Sequence, residues 1–457
     1  MKVDYINHAS LLLEADGSFI LTDPWISKPA FGSWLPTFPP AIDPVALLSL
    51  GSRLTVVLSH FHGDHFDPEF LSCLDSTTRI CIPRFNSRAM VQRLRRMGFD
   101  NTVELTQDNW TSISSWNLLS VVSRKSDVDA TIVIRTSDCA VIHGNDNWER
   151  WHDEDLELIR ISLADINRSG IMNCSQANSA SGYPLNYETF DADQQSELLR
   201  QKVHRMCVSG IQNSRNLGLS RWYPYAGYAS VFVKDHEEYL TRSIFPIPDE
   251  LRNLLRAYET NSKETDGTDI ADFLPGDSVD LKTGAVTPGF IRRTRLDLNR
   301  YRQASSAFLR STNAVNRCET YASTNGPLPS QKLTSNLLDI FLDGIRVAVT
   351  LLVSEKPALA SSLAQKRFGI EIRDCNLYGE IHLGTMSISQ EKSSEPTETL
   401  VITSKILELV CDGSMRANHL YIGYQGVWRR NPPHQFNSDI RQVLATYTYR
   451  IQPQKAK

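Results

Sequence analysis

The chain has 457 residues, more than one compact core usually holds, so at least two domains are expected. Its 41% hydrophobic and 22% charged residues and its net charge of -4 fit an ordinary globular protein and exclude a strongly basic binder of nucleic acid or anionic membranes. No apolar run forms a secretory leader or approaches the ~18 residues of a membrane span. Because the eight cysteines are scattered without a Cys-x-x-Cys pair, we expect a cytoplasmic protein with no disulfide framework.

The chain opens on a predicted hairpin followed by a long irregular segment. Strand-like runs over residues 7–14 and 18–22 flank Ala15-Asp16-Gly17, and Asp-Gly between two such runs is a strong turn signal. The aromatic and proline-rich stretch over 25–40 has no regular periodicity and is long for a plain connection. It is therefore either a wall or lid over a site or an inert surface loop.

Three histidines and an aspartate follow the next strand-like run, residues 54–58. The ligand-type residues are His60, His62, Asp64 and His65, and the carboxyl end of a strand is where α/β folds place their chemistry. Imidazole nitrogens and carboxylate oxygens are the donors that divalent metals such as zinc, iron and manganese prefer. Clustered imidazoles repel when protonated and need partners when neutral, so a purely structural role explains this spacing poorly. The sequence therefore predicts a metal site on this loop.

Further strands and two helices are predicted after the loop. Pro68 lies early in the first turn of one helix, and residues 87–97 form a basic amphipathic helix. The predicted strands, which suit two packed mixed sheets, cover residues 79–83, 102–105, 112–122, 130–135 and 139–143.

The His-x-His-x-Asp-His pattern resembles the signature of the metallo-β-lactamase superfamily. The resemblance implies an α/β fold, a four-layer αββα sandwich, that holds one or two metal ions. It also implies that Asp146, just past the strand that ends at His143, bridges two metals, although an aspartate in Gly-Asn-Asp-Asn is also a common turn former.

Short motifs narrow the resemblance to one branch of the superfamily. This branch contains the metallo-β-lactamase part of CMP-N-acetylneuraminate hydroxylase and the ascorbate-phosphate lactonases, and the resemblance covers about residues 1–245. The sequence contains no Cys-x-His pair of the Rieske type, so sialic acid hydroxylation driven by a Rieske centre is not expected of this chain acting alone. The motifs lie at residues 7–10, 21–25, 178–184 and 221–228.

The chain departs from the superfamily pattern between the loop and Asp146. The pattern supplies one more histidine there, but no histidine lies between His65 and His143. If Asp129, or with less support Asp127, takes that place, the site is richer in oxygen donors, which favours iron or manganese over zinc. This replacement resembles the carboxylate-rich diiron branch of the fold. The alternative is that both aspartates are loop residues and that one metal binds tightly.

The last ligand of the superfamily is a histidine on a late strand, and His236 is the candidate. Its charged neighbours also fit an exposed surface histidine. His143 and His152, which lie close to Asp146 in sequence, are alternative ligands. The family pattern makes His8 a residue that supports the ligands.

The predicted domains are a metallo-β-lactamase-like catalytic domain over 1–275, a helical linker over 276–330 and an α+β accessory domain over 331–457. Polar residues at 258–272 mark the first boundary. Seven arginines lie between residues 292 and 317. They fit either a phosphate-binding segment or the solvated face of a helix. The accessory domain resembles sterol-carrier-like lipid-binding modules. Its predicted strands at 377–387 and 398–402 form a hairpin with residues 391–396 as the loop, and a third strand is predicted at 419–423. Its predicted helices lie at 333–348 and 404–411.

The leading functional hypothesis is a binuclear metal hydrolase. Water activated by two metal ions attacks a thioester, ester or lactone of a small molecule, with Asp64 and Asp146 as catalytic residues and secondary metabolism as a candidate setting. The candidate substrate is an acyl-CoA or a nucleotide-linked compound. We expect neither nucleic-acid binding nor membrane insertion, and the sequence leaves open whether the chain forms a homo-oligomer. The alternatives are a diiron oxygenase, resembling the β-hydroxylase of chloramphenicol biosynthesis, and a ligand-binding protein without catalysis.

Overall fold

The computed structural model describes most of the chain. The described residues are 1–27, 29–107, 109–122, 129–147, 151–177, 182–233, 236, 238–239, 247–258, 268–294, 318, 327–392, 396–433 and 437–453. Asp127 lies outside them, as do the arginines from residue 295 to residue 317.

The first sheet carries the His-rich loop at the end of one of its central strands. Four neighbouring strands, β3, β5, β6 and β7, run parallel, so their carboxyl ends meet at one edge. Within the described residues the order is β17-β16-β1-β2-β3-β5-β6-β7. The strands are β1 (Lys2–Asn7), β2 (Ser10–Ala15), β3 (Ser18–Thr22), β5 (Leu54–Val57), β6 (Arg79–Pro83), β7 (Thr102–Leu105), β16 (Ser278–Asp280) and β17 (Val286–Thr287).

The second sheet supplies the other side of the site. Its order in the described part is β15-β13-β12-β11-β10-β9-β8, and β11, β12 and β13 run parallel. The strands are β8 (Thr111–Ile113), β9 (Trp116–Val122), β10 (Ala130–Arg135), β11 (Ala140–Asn145), β12 (Ile171–Gln176), β13 (Arg221–Tyr225) and β15 (Asp269–Ile270). A separate ribbon pairs β4 (Trp34–Pro36) with β14 (Ala229–Val231).

Alternating side chains on β10 show how the layers stack. Ile132 and Ile134 join the buried cluster that includes Val56 of the first sheet, whereas Val133 packs in a second cluster with Ile159. The two sheets therefore face each other, and helices cover their outer faces. This is the predicted αββα sandwich. The helices of this part are α1 (Pro44–Leu48), α2 (Pro68–Leu71), α3 (Ala89–Arg96), α4 (Asp153–Ser162), α5 (Ala192–Asn216), α6 (Pro248–Tyr258) and α7 (Phe290–Thr294).

The C-terminal unit is an α+β structure with its own core. A long helix packs against a mixed sheet of order β20-β19-β18-β21-β22 in the described residues. The strands are β18 (Arg367–Ile372), β19 (Leu377–His382), β20 (Ile388–Ser389), β21 (Glu398–Ile402) and β22 (Val427–Arg430). The helices are α8 (Gln331–Glu355), α9 (Leu359–Leu363), α10 (Ser404–Cys411) and α11 (Ser438–Thr446), with a 3-10 turn at Ala417–Leu420 and a π-helical turn at Tyr447–Ile451.

Charged side chains lie inside this C-terminal core and form what we call the arginine cluster: Glu398, Arg430 and Arg441. Arg430 Nε donates to Glu398 Oε1 at 3.0 Å, with both side chains fully buried, and Arg441 Nη2 lies 3.3 Å from Glu398 Oε2. Aromatic rings cover both guanidiniums, with Tyr187 4.5 Å from Arg430 and Trp428 4.1 Å from Arg441. The single carboxylate of Glu398 therefore pairs with both guanidiniums within the chain.

Each of the two units contributes side chains that contact the other unit. Tyr187 and Phe190 belong to the core of the C-terminal unit, and Tyr187 forms a bridge with Trp428. In the opposite direction, Trp34 Nε1 donates to the carbonyl of Ile422 at 3.0 Å. The C-terminal unit is thus joined to the sandwich by side chains from both.

Some predicted elements differ from the structure. Residues 419–423 are not a strand, because the chain there turns close to the sandwich, where a side chain on Gly423 would meet the carbonyl of Phe31 at 2.5 Å. Strand β21 does not form a hairpin with β19; it runs parallel to β18, and β19 pairs with β20 instead. The predicted helical linker begins with β16 and β17, because residues 278–280 pair with β1. The domain boundaries themselves stay a prediction.

Within the described residues, we find no helix with the length and the apolar sequence that a bilayer span needs. The described residues also contain no disulfide.

Candidate metal centre

The predicted ligands meet at the edge of the sandwich where strands of both sheets end. His60, His62, Asp64 and His65 follow β5, Asp146 follows β11, and Asp129 precedes β10. We call these six residues the metal-ligand cluster. The antiparallel pairing of β10 with β11 places Asp129 beside the turn that carries Asp146. The cluster therefore draws on three segments that are far apart in the sequence.

Two groups of donor atoms lie side by side in the cluster. His60, His62 and Asp129 present atoms within 4.8 Å of one another, and so do His8, Asp64 and His65. Asp146 lies between the groups: one of its oxygens is 3.9 Å from His60 Nε2 and the other is 3.8 Å from His65 Nε2. The carboxylate of Asp146 thus spans the two groups.

Depth differs across the cluster. The side chains of His60 and His65 are at most 1% exposed, whereas the side chain of Asp146 is 20% exposed. His62 is half-buried. A small molecule would therefore approach on the side of His62 and Asp146, with the other ligands behind them.

A fully buried aspartate, Asp23, supports the ligands from below. It follows β3, and its carboxylate accepts hydrogen bonds from the Ser59 backbone N–H at 2.7 Å and the Ser59 hydroxyl at 2.5 Å. Asp23 Oδ2 also lies 3.0 Å from His65 Nδ1 and 2.8 Å from His143 Nε2. Holding Nδ1 of His65 in this way directs Nε2 toward the cluster, as metal-binding histidines require.

Asn145 and Tyr225 complete this support. Asn145 Nδ2 donates to the Ser59 hydroxyl at 2.6 Å and lies 2.9 Å from His60 Nδ1. The Tyr225 hydroxyl lies 2.8 Å from His143 Nδ1 and accepts a hydrogen bond from the backbone N–H of Asn145. The polar side chains behind the ligands therefore form one connected network.

Backbone strain is concentrated at these positions. His8, Asp23 and Asn145 have positive φ angles of 38°, 35° and 52°, a region that residues other than glycine rarely adopt. Such conformations cost about 1–3 kcal/mol each and persist where the surrounding structure fixes them. All three residues contact the ligands or their immediate partners, so the strain coincides with the site.

The electrostatics of the cluster favour a cation. Burial would lower the pKa of His65, but Asp64, Asp146 and Asp23 together raise it well above its usual value. Burial raises the pKa of Asp64, yet the neighbouring His65 and His8 hold it well below its usual range. The Asp64 carboxylate therefore stays ionised and attracts positive charge, which a proton on His65 or a bound metal ion can supply.

His60, on the other side of the cluster, is neutral and can therefore bind a metal ion directly. Burial, assisted by His65 and His62, lowers the pKa of His60 to about 3 against the opposing effect of Asp129 and Asp23. A neutral imidazole is the form that binds metal. His60 thus needs no deprotonation at neutral pH.

The residues present fit a metal ion. At the cluster, His8 Nδ1, Asp64 Oδ1 and His65 Nε2 are buried without a hydrogen-bond partner among the described residues. Buried polar atoms without a partner are costly, and a cation coordinated by Asp64 Oδ1 and His65 Nε2 would satisfy both. The nitrogen and oxygen donor set suits zinc, iron or manganese.

Of the other predicted histidines, His8 contacts a ligand, whereas His143, His152 and His236 belong to neither donor group. His236 lies apart from the donor groups described above; its Nδ1 is 3.2 Å from Glu238 Oε1 and its ring stacks on Tyr239. His152 is the N-cap of α4. His143 lies behind the ligands on Asp23, and His8 contacts Asp64 through Nε2 at 3.1 Å.

The sequence analysis did not select Asp23, Asn145 or Tyr225 as site residues. Asp23 had a usable signal, since it directly follows a strand that, like β5, leads into the site. The other two have no local pattern, because they act through contacts with residues 80 or more positions away.

No protein-family model matches the chain. A protein of Mycolicibacterium smegmatis described as a Rieske 2Fe-2S iron–sulfur protein is 30% identical over 134 residues, which is 29% of this chain and 24% of the relative. The cytidine monophosphate-N-acetylneuraminic acid hydroxylase of Asterias rubens is 24% identical over 310 residues, 62% of this chain and 42% of the hydroxylase. The chain thus spans less than half of the length of either relative.

Several solved structures are similar to this chain. A possible metal-dependent hydrolase from Veillonella parvula has a TM-score of 0.40 at 14% identity and covers 61% of this chain and 98% of its own. The metallo-β-lactamase fold protein YhfI from Bacillus subtilis has a TM-score of 0.34 at 13% identity, covering 63% and 99%. CmlA, a diiron β-hydroxylase from Streptomyces venezuelae, has a TM-score of 0.35 at 15% identity, covering 60% and 52%.

Proposed function

We propose that this chain is a metal-dependent hydrolase that uses two metal ions to cleave a thioester, ester or lactone of a small molecule. The observation that carries the proposal is the position of Asp146, whose two oxygens point to His60 on one side and His65 on the other. A carboxylate between two donor groups is the arrangement that a pair of metal ions requires.

The ligands divide between two positions. His60, His62 and Asp129 would hold one ion, Asp64 and His65 the other, and Asp146 would serve both. Ions bound there supply a water of lowered pKa and polarise the carbonyl of the substrate. The half-buried edge at His62 and Asp146 gives the substrate its access.

Asp64 is positioned to accept a proton as well as to ligate. His8 Nε2 lies 3.1 Å from its Oδ2 and fixes the carboxylate, while Oδ1 has no hydrogen-bond partner among the described residues. His8 is itself held, with its ring 5.1 Å from Trp25 in an edge-on contact. Since its pKa is lowered, Asp64 is ionised at neutral pH and available as an acceptor.

The test combines metal analysis with turnover. Protein purified from iron-supplemented and from zinc-supplemented cultures is analysed by plasma emission and assayed for hydrolysis of acetyl-CoA and 4-nitrophenyl acetate without reductant. We expect two metal ions per chain and hydrolysis of at least one substrate. Asp129→Asn should reduce the metal content toward one ion per chain. A metal-loaded protein that hydrolyses none of a panel of thioesters, esters and lactones would argue against the proposal.

A diiron oxygenase is the second candidate, and Asp129 is the observation that favours it. This carboxylate, rather than an imidazole, lies 3.3 Å from His60 Nδ1 and completes the group with His62. An oxygen-rich donor set suits iron. Dioxygen consumption that requires both iron and a reductant, without hydrolysis, would select the oxygenase over the hydrolase.

A further inference from the structure

His62 is the half-buried histidine of the metal-ligand cluster, and its ring contacts two other rings. The ring of His60 is 4.4 Å away, and the ring of Phe31 is 5.8 Å away in an edge-on contact at 69°. Packing limits the rotamers of the buried ligands His60 and His65. A half-exposed imidazole keeps more rotational freedom, which it loses when it binds an ion. Phe31 is therefore placed to hold the ring of His62 before an ion binds.

Phe31 lies in a tight turn over residues 30–34. Two backbone hydrogen bonds between Ala30 and Trp34, of 3.0 and 2.8 Å, close the turn. The φ angle of Phe31 is 50°, in the left-handed region that a bulky residue rarely adopts. Such a conformation persists only where the surrounding structure fixes it. The position of the Phe31 ring is thus set by its neighbours and not by local preference.

The turn packs directly on the His-rich loop. A Cβ atom added to Gly63, the residue after His62, would lie 3.5 Å from the Cβ atom of Ala30 and 3.6 Å from the backbone nitrogen of Phe31. These are van der Waals distances, so the backbone of the turn and the backbone of the loop touch. A shift of the turn would therefore reach His62 through the backbone as well as through the ring.

The C-terminal unit holds the same turn. The fully buried Ser33 hydroxyl donates to the carbonyl of Gly423 at 2.5 Å, and Trp34 Nε1 donates to the carbonyl of Ile422 at 3.0 Å. A Cβ atom added to Gly423 would lie only 2.5 Å from the carbonyl oxygen of Phe31. Hydrogen bonds and close packing therefore fix the turn against the C-terminal unit.

We propose that Phe31 is a positioning residue for the metal ligand His62, and that the C-terminal unit holds Phe31 in place through residues 422 and 423. The inference rests on the metal site of the proposed function but not on the reaction. It concerns how tightly the group of His60, His62 and Asp129 binds its ion. The C-terminal unit then contributes to metal binding, although none of the six residues of the metal-ligand cluster belongs to it.

The binding test uses the full-length chain freed of metal and Co²⁺ as the only added ion. Competition with a fluorescent chelator gives the affinity, and the visible absorption of bound Co²⁺ reports the coordination geometry. Phe31→Leu keeps an apolar side chain but removes the ring. We expect it to weaken one of two bound ions about tenfold, the low end of the range for residues that orient a ligand, and to change the absorption. Phe31→Tyr, which keeps the ring, should restore both.

Phe38 provides the matched control in the same segment of the chain. It is 2% exposed and Phe31 is 5% exposed, but the Phe38 ring packs on Tyr228 at 5.1 Å. Phe38→Leu should lower the free energy of unfolding in urea as Phe31→Leu does, yet bind Co²⁺ like the wild type. Equal losses of Co²⁺ affinity in the two variants, or no loss in Phe31→Leu, would overturn the proposal.

Gly423→Ala tests the part played by the C-terminal unit. The added methyl group would meet the carbonyl oxygen of Phe31, so the turn must shift and Co²⁺ affinity should fall. Gly369→Ala is the control, because its methyl group would crowd the Tyr378 hydroxyl at 2.7 Å within the C-terminal sheet. Ser33→Ala removes the hydrogen bond to Gly423 without adding an atom, and it replaces Gly423→Ala if that variant does not fold.

Combining variants shows whether the two effects share one route. In the double variant of Ser33→Ala and Phe31→Leu, the loss of Co²⁺ affinity should be smaller than the sum of the single losses, because both act through the Phe31 ring. Additive losses, or a Co²⁺ affinity of Gly423→Ala and Ser33→Ala equal to that of Gly369→Ala, would overturn the role of the C-terminal unit.

Turnover separates this inference from the proposed function. If Co²⁺ binding depends on Phe31 but the metal-loaded wild type hydrolyses no thioester, ester or lactone, the hydrolase fails and the positioning role is supported. If the wild type hydrolyses a substrate while Phe31→Leu binds Co²⁺ with unchanged affinity and absorption, the positioning role alone fails.

Discussion

The metal-ligand cluster and the arginine cluster both bury several charged side chains, but the partners of these charges differ. In the arginine cluster Glu398 contacts Arg430 and Arg441, and aromatic rings cover the guanidiniums. In the metal-ligand cluster Asp64 Oδ1 and His65 Nε2 lack hydrogen-bond partners among the described residues. Glu398 Oε2 and Arg441 Nη1 also form no hydrogen bond among the described residues, but the charges of the first cluster are paired within the chain, whereas the second cluster gathers ligand-type atoms that a bound cation would satisfy. Removing one member should therefore affect stability in the first and metal binding in the second.

The largest effect is expected from His60→Ala. Loss of His60, a ligand of the group with His62 and Asp129, should remove bound metal and lower any metal-dependent activity by more than the ~100-fold typical of losing a supporting residue. Metal analysis and turnover of the purified variant measure this. His236→Ala is the matched control and should retain both, because His236 bonds Glu238 instead of the cluster. If His60→Ala loses its metal but keeps the biological activity, the enzyme proposals fail and a binding protein remains.

Glu398→Gln tests the arginine cluster. It leaves Arg430 buried without its counter-charge, and breaking such a pair costs about 3–5 kcal/mol in the free energy of unfolding. Urea unfolding followed by circular dichroism measures the loss. Glu355→Gln, which breaks the exposed pair with Arg450, should change the unfolding free energy little. Equal effects of the two variants would show that burial does not distinguish these pairs.

Asp23→Asn tests whether the buried support is part of the metal site. The amide keeps the shape of the side chain but cannot accept every hydrogen bond that Ser59, His65 and His143 direct at the carboxylate. Metal affinity should fall about 10–100-fold, as for other residues that orient a ligand. Competition with a fluorescent chelator gives the affinity, and Asp138→Asn on the surface should match the wild type. An unchanged affinity in Asp23→Asn would assign the network to folding alone.

The sequence predicted the parts of this structure that depend on local patterns. The His-rich loop could be predicted because four ligand-type residues fall within six positions. The strands β6, β7 and β10 have the bounds that were predicted for them. Asp23 was missed because its role depends on β3 lying beside β5 in parallel register, which separates interacting residues by 36 positions or more. The false strand at 419–423 has a related cause, since its apolar residues pack across two units instead of along a sheet edge.

The smallest expected effect concerns acid stability in the C-terminal unit. Asp439 is buried, which raises its pKa, but hydrogen bonds from Lys366 and Ser362 outweigh this and lower the pKa below its usual value. A carboxyl whose folded pKa is lowered stabilises the fold above its unfolded pKa, and this stability is lost as the pH falls through the folded pKa. The unfolding free energy should therefore drop below about pH 4, near the usual pKa of an aspartate. Urea unfolding from neutral to acidic pH should show a shallower pH dependence for Asp439→Asn than for the wild type. Because no metal ligand takes part, the difference in pH dependence between Asp439→Asn and the wild type should persist after the metal is removed by chelation. If chelation abolished this difference, the stability of the C-terminal unit would depend on the metal-ligand cluster, although the two units have separate cores.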